Sequence, residues 1–291
     1  MAQAEEARRR LCDAHGWQER DVELVPVLAS GDKVQDRPLA EIGGKALWTK
    51  ELDAWLAEGL IDAAVHSMKD VETIRPASLA VGAVLPRADV RDVLIGASTI
   101  ADLPPGARIG TSSPRRAAQM LHLRPDCSIV SFRGNVATRL EKLARGDADA
   151  TLLAAAGLVR LGETKLGSAL DAADWLPAPA QGAIGIECNT DDEEVIALLS
   201  AIDHAPSRQH VFHERALLEA LGGNCHSPVG MLSQGAGEFT LRAAIFSADG
   251  AERIEGEVTF SAEDRSGPAR LAEDLLSRSP PQIRQLFAGK R

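Results

Sequence analysis

The sequence predicts an α/β protein of more than one domain. Three observations carry that expectation. Short apolar runs of strand length alternate with amphipathic stretches at helical spacing. Several of those runs stop abruptly at small or polar residues, the pattern of buried strands ending at a ligand crevice. The chain is 291 residues long and 45% hydrophobic, enough for two or three domains with cores of their own.

Residues 2–15 read as a helix and VELVPVL (22–28) as a strand. A polar loop with Asp32 and Lys45 follows, and Gly43–Gly44 open a helix with Leu47, Leu52, Trp55 and Leu56 at helical spacing. IDAAV (61–65) reads as a strand that ends in His66, Ser67, Met68, Lys69 and Asp70. A carboxylate placed at such an end can accept hydrogen bonds or stabilise a developing cation, although an Asp after a strand is more often a turn or helix cap. Leu79–Val84 is the next strand. The rhythm argues for a mostly parallel sheet flanked by helices.

A second set of units runs from about Val90 to Leu176. RIGTSS (108–113) leads into a helix with Pro114 in its first turn, a position that suits proline. SIVSF (128–132) leads into RGN and the helix VATRLEKLARG, and ADATLLAA (148–155) leads into GLVRLG. Between Arg108 and Arg145 lie eight basic residues and two acids, inside a chain of net charge −10. A solvated helix face explains Arg124, Lys142 and Arg145. It fits Arg115, Arg116 and Arg133 poorly, because these fall at strand ends where forked donors and helix N-termini favour carboxylates or phosphates. No glycine-rich phosphate loop with lysine is present, which argues against a nucleotide.

LPAPAQGAIGIEC (176–188) breaks the alternation as a crossing segment followed by a strand that rejoins the first sheet. Residues 191–202 read as helix. The remainder, about 205–291, reads as a separate α/β unit: helix 208–221, the loop GGNCHSP, strands VGML, FTLRAAIF and RIEGEVTF, and a helix near 267–278. Cys225 sits in that loop, either as an accessible reactive thiol or as a small buried residue. A metal site of Cys225, His226 and His213 matches no standard spacing, and no metal is expected. The four cysteines lie far apart, which reads as free thiols in a reducing cytosol. The acidic balance argues against nucleic-acid or membrane-surface partners, and no apolar run reaches the ~18 residues of a membrane span. The N-terminus has no apolar signal region.

HSMKDV (66–71), GTSSPRR (110–116), FRGNVATRL (132–140), AAAGLVRLG (154–162), QGAIGIEC (181–188) and GGNCHSPVG (222–230), in this order, resemble the porphobilinogen deaminase (hydroxymethylbilane synthase) family. The resemblance implies three domains: two periplasmic-binding-protein-like domains with mixed, mostly parallel sheets around a cleft, and a smaller C-terminal α/β domain. In this numbering they are 1–85 with 183–200, 86–176 and 205–291, with 177–182 crossing between the first two. It implies a monomeric cytoplasmic transferase that joins four porphobilinogen molecules head to tail, releasing ammonia and then 1-hydroxymethylbilane. The primer would be a dipyrromethane cofactor held by a thioether to Cys225. Asp70 matches the catalytic aspartate, expected to steady the cationic azafulvene left when ammonia departs. Lys69, Ser67, Thr111, Ser112, Ser113, Arg115, Arg116, Arg133, Arg139, Arg160, Lys45, Asp32, Gln181 and Gly182 match the cofactor- and substrate-binding positions, and Arg91 is a further candidate. Glu41 stands where some members have lysine, and Trp48 where phenylalanine is common.

The family's opening segment, roughly IGTRxSxLALxQA, is matched only by Gln3–Ala4, so the expectation is a missing first strand and a true start upstream of Met1. Two other readings stay open on the sequence: a non-catalytic binder of polycarboxylates, which gives Cys225 no role, and an inactive truncated paralogue.

Overall fold

The computed structural model describes residues 1–27 and 49–288. Asp32, Glu41, Lys45, Trp48 and the expected helix start at Gly43–Gly44 lie outside the described residues. Among the described residues nine helices follow in chain order: α1 Ala2–His15, α2 Lys50–Ala57, α3 Pro114–Leu123, α4 Val136–Ala144, α5 Ala155–Arg160, α6 Glu193–Ser200, α7 Ala205–Ala220, α8 Gly267–Arg278 and α9 Pro281–Phe287. The strands are β1 Ala64–Ser67, β2 Leu79–Val84, β3 Asp92–Ile95, β4 Arg108–Gly110, β5 Ser128–Val130, β6 Ala150–Ala154, β7 Ser168–Ala169, β8 Ile184–Asn189, β9 Val229–Ala236, β10 Glu238–Phe246 and β11 Arg253–Ser261.

They form three sheets, in the orders β1-β8-β2, β5-β4-β6-β3-β7 and β11-β10-β9. The α/β class with mixed sheets holds, but the expected mostly parallel balance does not. Among the described pairs only β4–β5 and β4–β6 are parallel. Those three strands are the ones joined by helical crossovers, α3 and α4, which parallel neighbours require. β8 instead returns from the crossing segment to lie between β1 and β2, antiparallel to both. The strand expected over 22–28 is not seen in its described part. Residues 23–27 pair in no ladder and none is buried. Pro26 removes one ladder donor there.

The five-stranded sheet is covered on both faces. Alternate residues of β3 and β6 send Leu94 and Leu152 to one side with Ile109, Met120 and Trp175, and Val93, Ile95 and Leu153 to the other with Leu158. The third sheet packs Met231, Phe239 and Leu241 on Leu217, Leu271 and Leu275 of α7 and α8. Burial of each such side chain contributes roughly 1.5–3 kcal/mol. Ala118 of α3 and Leu176 join Ala244 and Phe246 of β10 in one cluster, so the third sheet buttresses α3.

Candidate active site

The strand–loop junctions converge where the sequence places its polar residues. β1 stops at Ser67 and turns through a short 3-10 segment, Met68–Asp70. Met68 is buried, Lys69 half-buried and Asp70 exposed. Gly185 of β8 makes that turn possible: a Cβ at this position would collide with the Met68 sulfur. β4 ends at Gly110, and Ser113 caps α3 by accepting from the Arg116 N–H at 3.5 Å, with Pro114 in the first turn. Thr111 is buried and its Oγ1 accepts from the Ser113 N–H at 3.1 Å.

Cys225 is exposed, and its loop is a locked turn rather than an open one. The Asn224 N–H donates to Ser227 Oγ at 3.0 Å, and the His226 N–H to Asn224 Oδ1 at 2.8 Å. Thr73 Oγ1 donates to Gly223 O at 3.1 Å, and Arg215 of α7 donates to the carbonyls of Val71 (3.3 Å), Glu72 (2.6 Å) and Thr73 (3.2 Å). The thiol loop is thus pinned against the residues that follow Asp70. Met68, Lys69, Ser113, Arg115, Asn224 and Cys225 line one cavity.

The electrostatics describe the same neighbourhood. Lys69 keeps some accessible surface but is enclosed by protein, and burial lowers its pKa; Asp70 opposes the shift and Arg116 adds to it. Burial lowers Arg139 to about 10, with Arg116 and Arg133 acting in the same sense and Asp70 against. Cys225, exposed at the surface of a crowded cleft, has its thiol pushed up to about 11, first by desolvation and then by Asp70 and Glu72. Asp70 therefore acts on Lys69, Arg139 and Cys225 together. Positive charge surrounds it, and the tether candidate is within its field.

Several predicted residues turn out to hold the protein together. Arg115 and Arg116 are buried, and each gives one Nη to Asp92, at 2.8 and 2.7 Å. Their other Nη atoms donate to Leu176 O and Leu152 O, both at 2.8 Å. Gln181 is buried and donates to Val90 O (2.7 Å) and Asp92 Oδ1 (2.9 Å). Gly182 has φ 83°, and a Cβ there would meet Ala88 O at 2.6 Å, so it serves backbone geometry. Ser112 Oγ donates to Phe132 O at 2.7 Å, and Ser67 Oγ accepts from Gln3 at 2.7 Å. Arg160 donates to Gly182 O at 3.2 Å. Arg91 forks onto Asp89 at the surface. Arg133 is buried, and its carbonyl accepts from Lys142 at 3.2 Å.

Sequence reasoning missed Asp92. It is fully buried and also accepts from Trp175 Nε1 at 2.8 Å. Burial would raise its pKa, but the Arg115 and Arg116 charges and hydrogen bonds from Arg116 and Trp175 hold it far below the usual carboxylate range. Its signal in the sequence is faint: one acid opening the apolar run VLI. Among the described residues no group of three His, Cys, Asp or Glu is placed to hold a metal.

Residues 1–197 match the family model described as porphobilinogen deaminase, dipyromethane cofactor binding domain, and residues 209–277 match the porphobilinogen deaminase C-terminal domain. The chain belongs to the porphobilinogen deaminase family. It is 56% identical to the porphobilinogen deaminase of Sphingopyxis alaskensis, over 99% of this chain and 93% of the relative. It is 46% identical to that of Paracoccus denitrificans, over 96% and 91%. Among solved structures it is similar to the second substrate binding domain of a putative amino acid ABC transporter from Streptococcus pneumoniae: 14% identity, 75% of this chain, 84% of that chain and a TM-score of 0.41, too loose to carry weight. Family membership makes the chain an enzyme of tetrapyrrole biosynthesis that builds hydroxymethylbilane from porphobilinogen.

Proposed function

We propose that Cys225 carries the dipyrromethane by a thioether and that Asp70 is the catalytic carboxylate acting beside it. One observation supports this above the others: Thr73 ties the cysteine loop, and Arg215 ties the helix before it, to the segment that follows Asp70, and the loop shares a cavity with Lys69, Ser113 and Arg115. The group fits these residues. A free, exposed sulfur lines a cavity with Lys69 and Arg115, and Arg116 acts electrostatically on Lys69 and Arg139 nearby. When bound, the cofactor supplies the nucleophilic pyrrole carbon; the protein supplies position and charge.

Each porphobilinogen brings an acetate and a propionate, so negative charge accumulates on a protein that is itself acidic. The pKa values of Lys69 and Arg139 fall on burial because no anion compensates them fully, and added carboxylates relieve that cost. Loss of ammonia leaves positive charge on the substrate carbon, and an adjacent carboxylate stabilises it. Asp70, exposed beside the cavity-lining Lys69 and within the field of Lys69 and Arg139, fills that role and can also hold pyrrole N–H groups and move protons.

The reading extends to the domain division 1–85 with 183–200, 86–176 and 205–291, with 177–182 as the crossing segment. The return of β8 between β1 and β2 supports it. It extends also to a reducing cytoplasm, which four unpaired thiols suit, and to a monomer. Asp70→Asn tests the central assignment. Because the side chain is exposed, the variant is expected to keep its Tm while bilane formation falls roughly 10²–10³-fold. Near-normal turnover would remove Asp70 from the mechanism.

A further inference from the structure

Asp92 receives four hydrogen bonds in the buried zone behind the cleft. Arg115 and Trp175 donate to Oδ2, and Arg116 and Gln181 donate to Oδ1. The carboxylate thus takes one Nη from each guanidinium, while Leu176 O and Leu152 O take the other. The Nε–H of Arg115 and of Arg116 is buried and has no hydrogen-bond partner among the described residues. Leaving a buried charged donor unsatisfied is costly. Two such donors on adjacent residues, one of them lining the cavity of Lys69 and Cys225, point to a function rather than to packing.

We propose that Asp92 is a positioning residue for the condensation. It fixes the spacing and orientation of Arg115 and Arg116, whose Nε–H groups keep no internal partner, and links that arrangement to Trp175 and, through Gln181, to the crossing segment. The inference rests on the reading that these arginines serve substrate or cofactor carboxylates. The chemistry is directional: a guanidinium anchored by one edge presents another, whereas an unanchored one samples many rotamers and loses part of its grip on a carboxylate. A single negative charge also leaves the trio with one net positive charge, enough to attract an anion without two uncompensated buried cations.

The test is a double-mutant cycle on cofactor-loaded enzyme, checked for loading by intact mass, with KM and kcat for porphobilinogen and Tm as readouts. Asp92→Asn keeps size and acceptor geometry at one oxygen but removes the charge. Arg116→Lys keeps the charge but removes the fork. Each is expected to raise KM about tenfold, the scale of one lost charge-assisted hydrogen bond. The double variant is expected to stay within about twofold of the worse single variant, because both changes disable one unit. A purely structural Asp92 would lower Tm with KM unchanged, or multiply the KM effects to about a hundredfold; either result overturns the positioning role while leaving the arginine reading intact. An unchanged KM in Arg116→Lys overturns both. If Asp92→Asn does not fold, Trp175→Phe, which removes one donor to Asp92 together with part of a buried ring in the sheet core, replaces it in the cycle. Its expected KM rise is about threefold, again without multiplication by Arg116→Lys, and an unchanged KM overturns the inference.

Discussion

At the scale of single residues, the state of Cys225 follows from its surroundings. An ordinary thiol titrates near ~8.5. Enclosure in the cleft, with Asp70 and then Glu72 nearby, pushes Cys225 up to about 11. In cofactor-free protein, the rate of alkylation by iodoacetamide at Cys225 is therefore expected to keep climbing past pH 9. A plateau near the ordinary thiol value would show that the carboxylates do not act on the sulfur. Asp92 works in the opposite direction. Its folded pKa is depressed, so its contribution is present above the unfolded carboxylate range near ~3.9 and is lost as pH falls toward the folded value. Asp92→Asn is expected to destabilise by about 3–5 kcal/mol at pH 7, because two buried guanidiniums lose their counter-charge. Urea titrations at several pH values should show that deficit narrowing below about pH 4. A deficit independent of pH would contradict the ion-pair account.

At the scale of elements, strand ends do the positioning. β1 delivers Met68–Asp70 only because β8 has glycine opposite it, and Gly185→Ala would drive a methyl group into Met68. The expected cost is about 1–3 kcal/mol, with kcat falling as Asp70 is displaced; thermal denaturation and steady-state assay check both. Much of this was legible beforehand. An apolar run stopping at HSMKD, and SSPRR opening a helix, report a strand end and a capped N-terminus from local chemistry alone. The stretch 22–28 misled because alternation in VELVPVL looks like a strand whether or not a partner lies beside it. Arg115 and Arg116 were legible as cations opening a helix after a strand but not as partners of Asp92, since 23 residues separate Asp92 from Arg115 and only tertiary packing joins them. The locked cysteine turn was hidden for the same reason: Thr73 and Gly223 are 150 residues apart.

At the scale of the whole molecule, buried charge ties the first and third sheets to the crossing segment. Arg87 forks onto Glu214 of α7 with both bonds at 2.8 Å, and both side chains are buried. Glu214 also accepts from the Ala180 N–H at 2.6 Å and the Ser233 N–H at 3.0 Å, while Arg87 Nε donates to Gln181 O at 2.9 Å. One carboxylate thus joins the crossing segment, the loop after β2 and the third sheet. Breaking such a pair from one side leaves an uncompensated buried charge, so Glu214→Leu is expected to cost about 3–5 kcal/mol, readable as a lowered urea midpoint. A loss below about 1 kcal/mol, the scale of an exposed pair, would mean that the third sheet is held mainly by apolar contact through Ala118, Leu176, Ala244 and Phe246.

The tether and the acid must meet in one cleft if this arrangement builds a polyanionic pyrrole chain. Peptide mass mapping of the purified active protein tests that meeting most directly. The account predicts that the peptide containing Cys225 carries two pyrrole units through its sulfur and that Cys225→Ser abolishes the adduct. Active protein with an unmodified Cys225 peptide would contradict it.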